Sequence, residues 1–454
     1  MTPASQFREL RYPAAPRLFQ VRMSSYRGAI AVALVSAALL PLPAVAPGAI
    51  SDRAYRTPVA HGSAAARTAV AAPKLRAGLR KLFRRVGKSG AFVLDANSDQ
   101  VLFSRKGGRP RILASNTKIF TTATALARFE PQTRLETAVW STDDVSDGIS
   151  QGLYLRGGGD PTLTGNGLTK LGSRVRAAGV TSVQGPLRYD DNFLDRVTTI
   201  PQHGIRPEGI GTLSALTIDR GRPRDPARDA AQRLRDALAK AGVSIGNSVM
   251  PAAVPLALPA IQVAELGSPT LTELARSTNQ PSDNFLAEML LKDLGGAFGT
   301  SGSTAGGIDV IKRFAGLRGS AFRGENGSGL SRRNRASPAA VVSLLDSMVE
   351  VDPAAPDDQQ LQQEGLRDAF VGSLAAAGKS GTLARRMRGT AAAGNCFAKT
   401  GTLNRVSALS GYCFRGGRDE EHAVVFSLLM NRVDVNRAHI VQDRMTALIA
   451  RYSR

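Results

Sequence analysis

Only two cysteines, Cys396 and Cys413, occur in the 454 residues. Neither lies in a Cys-x-x-Cys pair or at metal-ligand spacing, which argues against a redox dithiol and a thiolate zinc site. In an oxidising compartment the two can pair with each other. Histidine is almost as scarce: His61, His203, His422 and His439 stand in separate contexts without an HExxH pattern, which disfavours a histidine-built zinc centre. Aromatic residues make up 5% of the chain, and its basic residues form no long block or recognition motif. A net charge of +22 is therefore not read as nucleic-acid binding. The first 46 residues hold five arginines against one glutamate, so the rest is also strongly basic. Outside a membrane, the polyanions such a charge meets are cell-wall polymers and anionic lipid surfaces.

Long hydrophobic runs are missing as well. The one near the N-terminus, Gly28 to Leu40, follows Arg27, stops at Pro41 and leads into Ala44-Val45-Ala46, a small-residue cleavage pattern. Residues 1–46 read as a secretory signal peptide, with Met23 as an alternative start and an uncleaved anchor as the alternative reading. The expected location is extracytoplasmic, in the periplasm or cell wall, with membrane association as a variant. Residues 47–73 are Ala-rich with scattered Arg and Pro, and read as a tether.

What is present begins with an amphipathic stretch that aligns Leu75, Leu79, Leu82 and Phe83, followed by a hairpin signature around Ala96 to Asp99. "SNTKIFTTATALARF" has helical apolar spacing. From about residue 134 to 264 the text changes to short strand-like runs, Gly-Gly-Gly-Asp-Pro at 157–161 and the helix "PARDAAQRLRDALAKAG", which suggests a separate mixed region. Two helices then flank Gln280-Pro281-Ser282-Asp283. The C-terminal end is strand-rich and closes with the helix "NRAHIVQDRMTALIARY".

Among eleven lysines, only Lys118 has a serine three residues before it. Spacing i, i+3 puts Ser115 and Lys118 on one helix face, where a buried lysine beside another cation can lose its proton and accept that of the hydroxyl. Standing alone, such a serine is more commonly a helix cap. Ser282-Asp283-Asn284 sits in a loop enforced by Pro281 and can project a hydroxyl and an amide into a cleft. Its near-copy, Ser277-Thr278-Asn279, falls in the last turn of the preceding helix and reads as surface fraying.

The triplet Lys-Ser/Thr-Gly occurs at Lys88, Lys379 and Lys399. Around Lys399, a turn centred on Asn404-Arg405 would put residue i opposite 809 − i, pairing Cys396 with Cys413 and predicting a cross-strand disulfide against the alternative of two buried thiols. Gly401 would let a substrate backbone approach the strand. Around Lys379, "SLAAAG" is helix-like and "ARRMR" has no strand alternation; a phosphate-loop reading fails because five residues, not four, separate Gly372 from Gly378. Lys88 opens the first strand and reads as a turn.

Ser-x-x-Lys, Ser-x-Asn and Lys-Thr-Gly, in that order, form the signature of penicillin-recognising serine acyl enzymes. With "GGGDPTL" at 157–163, "GSGLS" at 327–331, "KTGTL" before "VSALSGY" and "FSLLMN" at 426–431, the chain resembles the D-alanyl-D-alanine carboxypeptidase/endopeptidase family, the class C low-molecular-mass penicillin-binding proteins. The resemblance implies an α+β fold: a serine β-lactamase/DD-peptidase-like catalytic domain, an antiparallel sheet flanked by helices, formed by residues 74–133 and 265–454 with a mixed α/β insertion at 134–264.

The resemblance further implies Ser115 as nucleophile, Lys118 as general base and Ser282 with Lys399 as the proton relay to the leaving amine. Asn284 would hold the acyl side of the substrate, Thr400 and Thr402 would bind the terminal carboxylate with help from the charge on Lys399, and the N–H groups of Ser115 and Thr402 would form the oxyanion hole. It implies no cofactor and no metal, with peptidoglycan stem peptides as substrate and β-lactams as covalent inhibitors. The family also carries a "GTL" followed by arginines upstream of its active strand, which makes Lys379 the structural copy. Asn326 stands where the family often has aspartate, so that loop is left out of the catalytic set. A β-lactamase and a non-catalytic wall-binding scaffold are the competing readings.

Overall fold

The apolar runs at the C-terminal end become three consecutive antiparallel strands, Cys396–Leu403, Val406–Phe414 and Ala423–Asn431. The last two are buried at every position, because helices cover both faces of the sheet they centre. The computed structural model describes residues 72–84, 86–200, 210–255, 260–414 and 423–452. The predicted signal segment and the tether up to residue 71 lie outside these, and the tether's last two residues, Ala72 and Pro73, already belong to the first described helix, Ala72–Phe83. Among the described residues no helix is long and apolar enough to cross a membrane.

The main sheet has six strands in the order Ala375–Ala376, Cys396–Leu403, Val406–Phe414, Ala423–Asn431, Lys88–Asp95 and Gln100–Arg105. The hairpin expected around Ala96 to Asp99 joins the last two, with Asp99 at φ 53 in its turn. Segments far apart in sequence meet in this sheet, since Lys88–Asp95 pairs along its length with Ala423–Asn431. On one face Leu75, Leu79 and Phe83 of the first helix pack with Met445 and Ile449 of the last, Val435–Tyr452. Each such aliphatic or aromatic side chain contributes about 1.5–3 kcal/mol when fully buried. Leu82, predicted on the same stripe, is only partly buried.

The other face carries the helical layer. Helices Thr117–Phe129, Leu271–Asn279, Asn284–Phe298, Thr304–Gly316, Pro338–Ser347 and Asp357–Ser373 share one apolar core with the sheet through Ile119, Phe120, Leu290, Val341, Phe370 and Val425. Thr117–Phe129 is buried from Thr117 to Leu126. This explains why its sequence is so poor in charge: every face meets protein.

A second sheet of five strands runs in the order Val249–Pro251, Leu187–Asp190, Leu153–Gly157, Arg134–Ser141 and Ile261–Thr270. The first three are parallel and the last two antiparallel to their neighbours. Helices Gly165–Ala177 and Pro226–Lys240 turn Leu168, Leu171, Leu234 and Leu238 onto it. Thr164 and Asp225 cap these helices by accepting N–H hydrogen bonds from their first turns.

Two local expectations are corrected. The helix-like "SLAAAG" is split: the helix ends at Ser373, and Ala375–Ala376 forms an edge strand paired with Ala398 and Phe397. Alanine is a good helix former, but an unpaired edge beside Lys399 offers hydrogen bonds that override the preference. Nor is Ser277-Thr278-Asn279 frayed, because Thr278 and Asn279 are buried and the Asn279 amide donates to Thr122 Oγ1 at 2.9 Å and Ser373 Oγ at 2.8 Å. This triplet braces three helices.

Candidate active site

Ser115 lies in a 3₁₀ turn, Ala114–Asn116, that leads directly into the helix beginning at Thr117. Ala114 adopts φ 48, a left-handed backbone that L-residues populate only when the surroundings hold them there. Those surroundings are two glycines. A Cβ on Gly329, itself at φ 89, would stand 1.9 Å from the Ala114 carbonyl oxygen, and one on Gly401 would stand 2.7 Å from that of Leu113 and 2.9 Å from Asn116 Oδ1. The bare side of Gly401 therefore faces the protein's own Ser115 turn. A tight strand-to-turn contact needs the missing side chain.

Lys118 has no exposed surface, and its Nζ has three partners: Ser115 Oγ at 3.3 Å, Asn284 Oδ1 at 2.7 Å and the Ser328 carbonyl at 2.7 Å. Burial brings its pKa down to about 7, against the opposing charges of Glu288 and Asp283. Valence then fixes the geometry. A neutral amine has two N–H donors and one lone pair, and two of its three partners are carbonyl oxygens that can only accept. With both N–H groups so taken, the lone pair points at the Ser115 hydroxyl.

Lys399, also fully buried, lies on the neighbouring strand and donates to the Thr400 carbonyl at 3.1 Å. Burial first, and the Lys118 charge second, push its pKa well below the usual lysine range. Two lysines in one dry site cannot both hold a proton cheaply.

Ser282 is half-buried at φ 66 between helices Leu271–Asn279 and Asn284–Phe298, the interhelical loop expected from Pro281. The residue between Ser282 and Asn284 holds that loop in two directions. Asp283 Oδ1 accepts the Leu286 N–H at 2.9 Å and caps the helix, while Oδ2 pairs at 2.6 Å with Arg220, which reaches over from the segment preceding helix Pro226–Lys240 and lies across the Phe285 ring.

The strand holding Lys399 pairs in the predicted register, Cys396 opposite Cys413 and Leu403 opposite Val406, and the two cysteines form a disulfide. Thr400 is buried and donates to Thr382 Oγ1 at 2.8 Å, whereas Thr402 is exposed. Lys379 is exposed in a turn, away from this hydrogen-bonded set. Its own copy of the phrase still touches the site: Thr382 meets Thr400, and its N–H donates to the Gln280 carbonyl at 3.0 Å.

Sequence reasoning missed Glu288. It is fully buried, one helical turn beyond Asn284, and its two oxygens accept the N–H groups of Gly327 at 3.1 Å and Ser328 at 2.8 Å. A lone carboxylate in the apolar run "NFLAEMLL" was the available signal, since an acidic side chain on a buried helix face requires partners. Asn326 is buried in the same loop, where its Oδ1 accepts from Gly329 N–H and Asn334 Nδ2. Among the described residues, no group of three or more histidine, cysteine or acidic side chains is arranged to hold a metal.

An antiparallel sheet faced by a helical layer, with a serine and two buried lysines brought together beside it, is the architecture of the DD-peptidase class. Within that class, the chain belongs to the D-Ala-D-Ala carboxypeptidase 3 (S13) family, a family of hydrolases whose profile matches residues 80–223 and 220–452. The D-alanyl-D-alanine carboxypeptidase of an Actinomadura species is 30% identical, over 80% of this chain and 81% of its own length. Carboxypeptidase DacB of Mycolicibacterium smegmatis is also 30% identical, over 86% and 85%. In three dimensions, penicillin binding protein 4 of Haemophilus influenzae matches with a TM-score of 0.66 at 19% identity, covering 83% of this chain and 99% of that one, which extends the likeness to the fold.

Proposed function

We propose that the protein is an exported serine-type D-Ala-D-Ala carboxypeptidase/endopeptidase that acts on peptidoglycan stem peptides through an acyl-enzyme on Ser115. The observation that carries this reading is the Lys118 amine, 3.3 Å from Ser115 Oγ with its two donors occupied by Asn284 and Ser328. Lys118 takes the Ser115 proton as Oγ bonds to the carbonyl carbon of the penultimate D-alanine. Two N–H groups, those of Ser115 and Thr402, receive the developing oxyanion, a contribution of about 3–4 kcal/mol per donor in comparable sites. The C–N bond then breaks, and the leaving amine receives a proton through Ser282 and Lys399. Water hydrolyses the ester and regenerates the serine. Lys399 gives its amine to Thr400 rather than to Ser115, which favours Lys118 as the base of acylation.

Thr400 and Thr402 bind the terminal carboxylate in this reading, and Asn284 the acyl side. Burial lowers the pKa of Lys399 in the empty site, and an arriving carboxylate raises it again, which favours the cation that holds the substrate. Residues 134–264 are an insertion in the catalytic domain of 74–133 and 265–454, with strand Ile261–Thr270 leading back into it. β-Lactams acylate the same serine. The basic surface keeps the exported protein at anionic wall or membrane polymers.

Labelling with fluorescent penicillin tests the reading. A covalent adduct on the wild type and none on Ser115→Ala is expected, together with release of D-alanine from a pentapeptide; equal labelling of both proteins defeats the assignment. Turnover of the adduct within seconds would indicate a β-lactamase, and an absence of D-alanine release above the Ser115→Ala control would indicate a scaffold.

A further inference from the structure

Among the described residues, Glu288 is the one fully buried carboxylate joined to Lys118 through a chain of hydrogen bonds, and the acylation chemistry leaves it without a task. Its helix also supplies Asn284, one turn earlier and on the same face. Each carboxylate oxygen accepts one backbone N–H from the Gly327-Ser328 segment, and the Ser328 hydroxyl adds a third hydrogen bond. On its other side this segment is strapped by Thr121 Oγ1, which donates to the Gly327 carbonyl at 3.0 Å, and by Gly329, which lies against the Ala114 carbonyl. The segment is therefore clamped between the nucleophile helix and the Asn284 helix. Its one carbonyl turned into the site, that of Ser328, takes an N–H of Lys118.

We propose that Glu288 is a positioning residue for the general base: held by two backbone N–H groups, it fixes the Ser328 carbonyl that orients the Lys118 amine and places a carboxylate beside it. This deepens the acyl-enzyme reading and rests on it. Three titratable groups surround Lys118. Glu288 on one helix and Asp283 at that helix's cap favour its ammonium form, and Lys399 on the strand has its own pKa lowered by burial and by the Lys118 charge. Asp283 is shared with Arg220, which draws its charge away from the site. Burial raises the pKa of Glu288, while the hydrogen bonds from Ser328 and Gly327 and the charge of Lys118 act the other way and favour its carboxylate form. Its hydrogen-bond partners among the described residues include no cationic side chain.

Glu288→Gln separates orientation from scaffolding. The amide has the same shape, but its Nε2 would meet a backbone N–H where the carboxylate offered an acceptor, and the charge is gone. Both changes destabilise the ammonium, so the acid limb of the acylation rate is expected to move to lower pH by about one unit. The plateau rate should fall at least about tenfold, as the lone pair is no longer aimed. Glu288→Asp keeps the charge but is one methylene too short to hold both N–H groups, and is expected to lose plateau rate with the limb left near its wild-type position.

The experiment is the pH dependence of penicillin acylation for the wild type and both variants, with Ser115→Ala as the blank. A wild type that labels at Ser115 beside a Glu288→Gln protein with an unmoved acid limb overturns the role of Glu288 and leaves the acyl-enzyme reading standing. A wild type that does not label removes both. Should Glu288→Gln fail to fold, Glu288→Asp decides: a wild-type plateau rate overturns the proposal, and a reduced one supports it.

Discussion

Lys118 Nζ lies 2.7 Å from Asn284 Oδ1, although the two residues are 166 positions apart in the chain. The amide oxygen, not its nitrogen, faces the lysine, because Nζ donates in either protonation state. Asn284→Asp would put a negative charge at this oxygen and favour the ammonium form. The acid limb of acylation, expected near pH 7 in the wild type because the base works only when deprotonated, should move to higher pH. At pH 6.5 the rate should fall at least about tenfold and recover in part above pH 8. Stopped-flow acylation with a fluorescent penicillin across this range gives the answer, and a limb that stays in place would separate Lys118 from the rate.

Gly401 gives a test of steric preorganisation. In Gly401→Ala the new methyl meets the Leu113 carbonyl at 2.7 Å and Asn116 Oδ1 at 2.9 Å, so either the strand or the Ser115 turn must give way. Acylation by penicillin should drop by about 100-fold, since small displacements of a reacting group are that costly. The melting temperature should fall by only a few degrees, as one local contact is disturbed.

Asp293 is fully buried, and neither of its carboxyl oxygens has a hydrogen-bond partner among the described residues. Burial raises its pKa well above the ordinary carboxylate value, with Asp160 adding to the rise and Lys292 opposing it. A raised carboxyl binds its proton more tightly in the folded state than in the unfolded chain. Stability from this group is therefore complete in acid, below the unfolded pKa, and is lost as pH rises through the folded one. The urea midpoint of the wild type should decline from pH 5 to pH 8 more steeply than that of Asp293→Asn, which has no charge to lose. Parallel curves would show that Asp293 is not the titrating group.

The Cys396–Cys413 disulfide closes a sequence separation of 17 residues inside a single hairpin. Loop-closure entropy puts its contribution at about 3 kcal/mol at most. The paired strands already hold the same ends together. Replacing both cysteines by alanine should lower stability by about 1–3 kcal/mol in urea unfolding while leaving penicillin acylation within about twofold. A large loss of labelling would instead place the hairpin's rigidity in the rate.

What the sequence determined was order and register. Ser115-x-x-Lys118, Ser282-x-Asn284 and Lys399-Thr400-Gly401 carry the family resemblance because each is local, and the 809 − i pairing of the cysteine hairpin comes from alternation about a two-residue turn. Lys399 could be separated from Lys379 in the same way, by the strand partner one has and the other lacks. The tertiary structure decided the contacts that cross the chain. That Gly401 abuts the Ser115 turn, that Asn279 braces helices, that Thr382 meets Thr400 and that Glu288 holds the segment beneath Lys118 are contacts between residues remote in sequence. No periodicity encodes them, because a side chain's partner across a core depends on how whole elements pack, and the depressed pKa of Lys118 exists only once that packing has excluded water.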